Sequence, residues 1–175
     1  MGCAESSQGN IQSNGDYANV LPRQIEIRHN SVGNSYQSIF GEFLTSDVTL
    51  VLVQDPYIRT YHQCQNLVRL CELMAKKCPN LRTVQLLTSA DNNNSEQGKW
   101  LRQLQSHLSS QHKISLTIQF NPTLHDRQIK LSNGWIIKIG RGLDYFKPPA
   151  GKFSLGYHDL DWRPCLQTTV DIFHS

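Results

Sequence analysis

His125-Asp126-Arg127 sets an imidazole and a guanidinium two positions apart, so on an extended segment both project to one face. A covalent-histidine phosphodiesterase needs such a pairing: an imidazole nucleophile and, two residues on, a cation that holds the phosphate oxygens. It ordinarily needs a second pair to act as acid. None is present. His29, His62, His107, His158 and His174 have no basic residue two positions on, and Lys113 directly follows His112, so on a strand those two face opposite ways. Asp55, at the end of an apolar run, and Lys138 complete the group that could react with a phosphodiester. One half-site of His125, Arg127 and Asp55 becomes catalytic only if a second copy supplies the other half across a two-fold axis. The plainer reading leaves His125 as a structural or phosphate-contacting histidine.

The segment around this pair is basic. Between His125 and Lys152 stand Arg127, Lys130, Lys138, Arg141, Lys147 and Lys152 against Asp126 and Asp144, although the whole chain carries only +3 with His neutral. The positive field is therefore concentrated in one stretch. Tyr145, Phe146 and Phe153 lie among these cations. Either they pack inward or they insert at a lipid or partner interface. No recognition helix or base-stacking motif accompanies the charge, which argues against nucleic acid.

Positioning these residues requires a sheet. Leu124–Leu131 and Trp135–Ile139 read as two strands joined at Asn133-Gly134, a turn pair suited to a hairpin. Arg23–Arg28 alternates as a short edge strand, and Tyr36–Leu44 spaces its apolar residues on one helical face after Asn34 or Ser35 as cap. Val48–Val53 is nearly all apolar and reads as a central strand buried on both faces. Asp55 and Tyr57 then sit at its carboxyl end, where sites gather in open α/β sheets. Tyr61–Lys77 is a helix stopped by Pro79, Leu81–Thr88 a strand, Lys99–Ser110 an amphipathic helix, Lys113–Phe120 a strand and Thr168–His174 a closing strand. This alternation predicts an α/β fold with a mixed, largely parallel sheet flanked by helices on both sides.

The five cysteines are an odd number, and Cys64, Cys71 and Cys78 fall seven apart on one helix face. With no secretory signal and no apolar run long enough to span a bilayer, they read as buried free thiols in a reducing cytosol. Their spacing is too wide for a zinc site, and no metal or cofactor is called for. At the other end of the chain, Gly2 with Ser6 fits the myristoylation pattern once Met1 is removed, and Cys3 offers palmitoylation as the second anchor that stable membrane attachment needs. Residues 7–22 are rich in Ser, Gln, Asn and Gly and read as a flexible tether.

Six stretches, in order, carry a resemblance. They are Asp55-Pro56-Tyr57-Ile58-Arg59, Leu86-Leu87-Thr88-Ser89, His125-Asp126-Arg127, Asn133 to Phe146, Phe153-Ser154-Leu155-Gly156-Tyr157, and Thr168 to His174. Together they resemble the phospholipase-D-like domain at the C-terminus of MIT-domain proteins that work with ESCRT-III in cytokinesis. The resemblance implies a domain with the lipase fold that lacks its full catalytic motif, dimerises, and binds acidic phospholipids, phosphoinositides among them. Arg127 in place of the family's lysine fits that loss, while still suiting phosphate. In the family a three-helix MIT domain precedes and binds ESCRT-III tails. The leading residues here are too few for three helices, so membrane attachment through Gly2 and Cys3 is the alternative route.

The resulting expectation is a single phospholipase-D-like domain over residues 23–175 behind an acylated, disordered tether over residues 1–22. Its function is non-enzymatic binding of acidic lipids at the cytoplasmic face of the plasma or endosomal membrane, as a homodimer, with ESCRT-III-associated proteins as partners. The lipid-binding residues are His125, Arg127, Lys138, Arg141, Lys147, Lys152 and Tyr145. The competing expectation is a phospholipase-D-type phosphodiesterase using His125, Arg127 and Asp55 across a dimer.

Overall fold

The strand Val51-Leu52-Val53 shows how the sheet is built, because Val51 and Val53 are buried while Leu50 is 38% exposed and Leu52 half-buried. Burial alternates with a period of two, so this strand has one covered face and one open face. The expectation of burial on both faces is thereby corrected. The computed structural model describes residues 22–93 and 96–175. Gly2, Cys3 and, apart from Pro22, the expected tether lie outside the described residues.

The strands are β1 (Arg23–Ile27), β2 (Leu50–Gln54), β3 (Thr83–Thr88), β4 (Ser115–Phe120), β5 (Gln128–Leu131), β6 (Trp135–Ile139) and β7 (Thr168–His174). Three helices accompany them: α1 (Tyr36–Phe40), α2 (Tyr61–Lys77) and α3 (Glu96–His112). The seven strands form one sheet in the order β1-β7-β6-β5-β2-β3-β4. Only β2–β3 and β3–β4 are parallel, and the other four neighbouring pairs are antiparallel. The sheet is therefore mostly antiparallel, contrary to the largely parallel arrangement expected from strand–helix alternation. The physical reason lies in the connections. Helices α2 and α3 carry the chain back between β2, β3 and β4, which yields parallel neighbours. After β4 no α-helix intervenes, and the hairpin at Asn133-Gly134, with Gly134 at φ +94°, turns β5 directly into β6.

Register fixes which side chains share a face. Val51, Val84, Leu86, Leu116, Ile129, Ile137, Ile139, Val170 and Ile172 are all buried on the helix side. Helix α2 packs against both α1 and α3, and the two crossovers place α2 and α3 on the same side of the sheet. The helices therefore cover one face rather than two. On the other face Leu50, Gln85, Thr117, Lys130 and Lys138 are exposed.

Helix α2 begins at the N-cap Thr60, and the Gln63 side-chain oxygen accepts from the Arg59 and Thr60 amides at 3.1 and 3.2 Å. Its buried stripe is Cys64, Leu67, Leu70, Cys71 and Met74, with Lys76 and Lys77 at the end favoured by the helix dipole. Helix α1 is capped by Ser35, whose side chain accepts from the Ser38 amide at 3.2 Å.

Candidate functional site

Strands β1, β2, β3, β4 and β6 run in one direction and β5 and β7 in the other. Consequently the carboxyl end of β2 (Asp55, Tyr57), the residue leading into β5 (Arg127), the turn after β6 (Arg141, Gly142, Leu143) and the start of α2 (Thr60) all meet at one end of the sheet. This end is a rim.

At its centre the exposed ring of Tyr57 is flanked by two guanidiniums. Arg127 lies 4.5 Å and Arg59 5.0 Å from the ring centroid. The π-faces hold these cations without neutralising them. Arg127 is further aimed by a hydrogen bond from Nη1 to the Gly140 carbonyl at 3.1 Å. None of Arg59, Arg127, Arg141 and Lys152 forms an ion pair with a described residue. Beside them His62 Nε2 stands 3.4 Å from Asp144 Oδ2, and the same carboxylate oxygen accepts from Gln63 Nε2 at 3.0 Å.

Asp55 belongs to the rim but faces inward, only 2% exposed. Its Oδ1 accepts from the Tyr57 amide and its Oδ2 from the Leu143 amide, each at 2.9 Å. Burial raises its carboxyl above the ordinary carboxylate range, although those two bonds and the Arg127 charge pull the other way. With both oxygens committed to backbone amides, Asp55 is a brace that ties the β2 end to the turn after β6. The cleft among Asp55, Arg127 and Gly142 has a volume of about 10 Å³, room for roughly one water.

The structure disperses part of the residue set expected from sequence. His125 is exposed, and both it and Arg127 lie in the loop ahead of β5, which begins only at Gln128, so the strand on which the two were expected to share a face does not reach them. Lys138 sits on β6 opposite Asp171, its ammonium 5.5 Å from the Phe173 ring, so it rises from the open sheet face. Lys147 is half-buried, with Nζ donating to Asn30 Oδ1 and 3.2 Å from His29 Nε2. Tyr145, expected at the lipid surface, is fully buried, and its hydroxyl donates to the Asn34 carbonyl at 2.6 Å. Phe146 is also buried. Arg141 and Lys152 are exposed. Arg59 is the residue that sequence reasoning passed over. Its position two after Tyr57 and directly before the N-cap of α2 was the available signal, since a helix start suits an anion.

Comparison with known proteins gives the family. Residues 33–174 match the family described as the phospholipase D-like domain at the C-terminus of MIT. The chain belongs to that family. The chain is 51% identical over 155 residues to mouse (Mus musculus) MIT domain-containing protein 1, covering 87% of this chain and 62% of that protein. It thus spans under two thirds of the curated relative's length. A looser likeness, at a TM-score of 0.43 and 11% identity, links it to the phosphatidylserine synthase of Haemophilus influenzae Rd KW20 over 87% of this chain and 34% of that one. That likeness is too distant to bear on the site. Among the described residues of the phospholipase D-like domain, no group of three or more His, Cys, Asp or Glu side chains could hold a metal ion. No described helix is long and apolar enough to cross a membrane.

Proposed function

We propose that the domain is a non-catalytic module that binds acidic phospholipids, phosphoinositides among them, at a membrane surface. The observation that carries this reading is the Tyr57 ring flanked by Arg59 and Arg127 on a rim where neither cation forms an ion pair with a described residue. Planar guanidiniums match phosphate oxygens two bonds at a time, and the α2 N-terminus adds its dipole. The commitment of both Asp55 oxygens to backbone amides speaks for gripping a headgroup over cleaving it. Co-sedimentation of the chain, unacylated, with vesicles containing a phosphoinositide tests this. Arg59→Glu combined with Arg127→Glu should abolish binding, and unchanged binding would refute the assignment.

Three further elements belong to this reading. Myristate on Gly2 and palmitate on Cys3 would hold the domain at the cytoplasmic face of the plasma or endosomal membrane. Intact mass of protein made in eukaryotic cells checks this directly. A homodimer would cover the open sheet face, where Leu52, Leu87, Ile136 and Phe173 are half-buried. Sedimentation equilibrium decides that. Finally, the curated relative's name includes a MIT domain, and association with ESCRT-III proteins in membrane remodelling or cytokinesis is the partner class we assign.

A further inference from the structure

The segment from Lys147 to Tyr157 leaves the body of the domain and returns to it at a single side chain. Arg163, 7% exposed, donates from Nη1 to the Lys147 carbonyl (3.1 Å), from Nε to the Gly156 carbonyl (2.6 Å) and from Nη2 to the Tyr157 carbonyl (3.2 Å). The outgoing leg is also held by Lys147 N donating to the Pro164 carbonyl at 2.9 Å. The returning leg is pressed against Trp162, because a Cβ on Gly156 (φ +92°) would lie 2.8 Å from the Trp162 oxygen. Between these anchors the tip folds on itself, with Ser154 N to Gly151 O at 3.3 Å and Tyr157 N to Ser154 O at 3.2 Å. The loop is a built structure.

What it displays is apolar. Phe153 is fully exposed and Leu155 81% exposed, more than any other large hydrophobic side chain of the described residues. Trp162 at 55% and Val32 at 50% lie on the adjoining segments, joined through Gly33 N to Asp161 O at 2.7 Å and Cys165 N to Ser31 O at 3.1 Å. Cations frame this patch. Lys152 precedes Phe153, and His29 and Lys147 meet at the root of the loop, next to Arg28. Of the nearby acids, Asp161 accepts from Ser35 N and Ser38 Oγ, and Asp159 caps its own turn.

We propose that this loop is a membrane-insertion wedge: Phe153 and Leu155 enter the acyl region while Lys152 and the basic root engage anionic headgroups. The inference rests on the membrane reading above and adds to it a second, apolar mode of attachment. A convex apolar tip offers no groove to a folded partner but suits a bilayer, which deforms around it, and the basic frame matches an anionic leaflet. Trp162, with an amphipathic ring at the edge of the patch, takes the interfacial position that tryptophan favours. Because Arg163 already orders the loop, little conformational entropy is lost on insertion.

The test uses the full chain and vesicles of phosphatidylcholine with phosphatidylserine. Phe153→Ser and Leu155→Ser, both at sites with almost no contacts, should leave the thermal midpoint unchanged. Each should weaken vesicle partition by about tenfold, the effect of transferring one large apolar side chain. The binding that remains should vanish in high salt, whereas wild-type binding should persist in part, because only the electrostatic component is screened. Fluorescence of Phe153→Trp should be quenched by lipids brominated on their acyl chains. If the serine variants bind as wild type does, or the introduced tryptophan is not quenched on bound vesicles, the wedge is overturned while the rim assignment stands. If the wild-type chain binds no anionic vesicle at all, the membrane reading falls and this inference falls with it.

Discussion

Gly142 is packed against the carboxylate of Asp55 so closely that a Cβ on it would lie 2.2 Å from Oδ2. The backbone there is left-handed, at φ +63°, which lets the next amide, Leu143 N, reach that same oxygen at 2.9 Å. A glycine is required twice over, for conformation and for space. Gly142→Ala should therefore destabilise the domain by about 2–4 kcal/mol, combining left-handed strain with a displaced buried carboxylate. Urea unfolding measures the loss, and the nearby Arg127–Tyr57 arrangement should loosen with it.

The raised Asp55 carboxyl makes a pH prediction with a definite sign. A carboxyl whose folded pKa lies above its unfolded value binds its proton more tightly in the native state, so its contribution to stability falls as pH rises between the two values. Chemical denaturation of wild type across the mildly acidic range should show that component. Asp55→Asn should remove it. The same variant should be less stable at neutral pH by about 1–3 kcal/mol, since a carboxamide has one oxygen to offer where two amides now donate.

On the rim, the type of cation should matter as well as its charge. Arg127→Lys keeps the charge but loses the planar fork that both stacks on Tyr57 and reaches Gly140 O. Vesicle affinity should drop by roughly three- to tenfold, in keeping with about 1 kcal/mol for one charge-assisted contact. Lys138→Glu, on the open sheet face, should change affinity far less than Arg127→Glu. Equal effects would move the binding surface off the rim.

Arg163 is buried with three carbonyl acceptors and no carboxylate in the bonds that hold it. Burial lowers its pKa from the usual arginine value, so the charge is retained against a desolvation penalty. Arg163→Met should cost about 2–4 kcal/mol, because the three carbonyls lose their donors. Proteolysis should then cut between residues 148 and 158 more readily than in wild type.

Cys64, Cys71, Cys78 and Cys165 are buried and free. Burial pushes the first three thiols up to about 11, about 12 and about 11, and raises Cys165 as well. In a Cys3→Ser chain a thiol reagent at pH 8 should react slowly, at a rate set by opening of the fold, and rapidly once denaturant is added. A fast-reacting thiol in that native variant would contradict the burial of these four side chains.

Much of the local structure could be read directly from the residues. Helix α2 runs over the residues its apolar period and Pro79 indicated, and β7 over those its alternation indicated. The hairpin expected at Asn133-Gly134 is present, its connection being the three residues Ser132, Asn133 and Gly134 with the glycine in the left-handed region that such a turn needs. The burial of Cys64, Cys71 and Cys78 follows from the same one-dimensional pattern, whereas that of Cys165 does not. Strand pairing did not follow from it. A strand carries the same alternation whether its neighbour is parallel or antiparallel, so the mostly antiparallel sheet emerged only when β5, β6, β7 and β1 were seen side by side. The basic stretch was visible as composition, yet tertiary structure divided it. Lys138 went to the sheet face, Lys147 to His29 and Asn30, and Arg127 to the rim, where it met Arg59 from a segment almost seventy residues away. The aromatics were divided likewise, Tyr145 and Phe146 into the core and Phe153 into solvent. Sequence by itself determined which elements form, in what order, and where the charge is concentrated, because those depend on neighbours along the chain; the bounds of β2, α3 and β5 shifted by a few residues. Which cations converge, and which aromatics remain outside, depends on contacts between distant segments, and only the fold decides those.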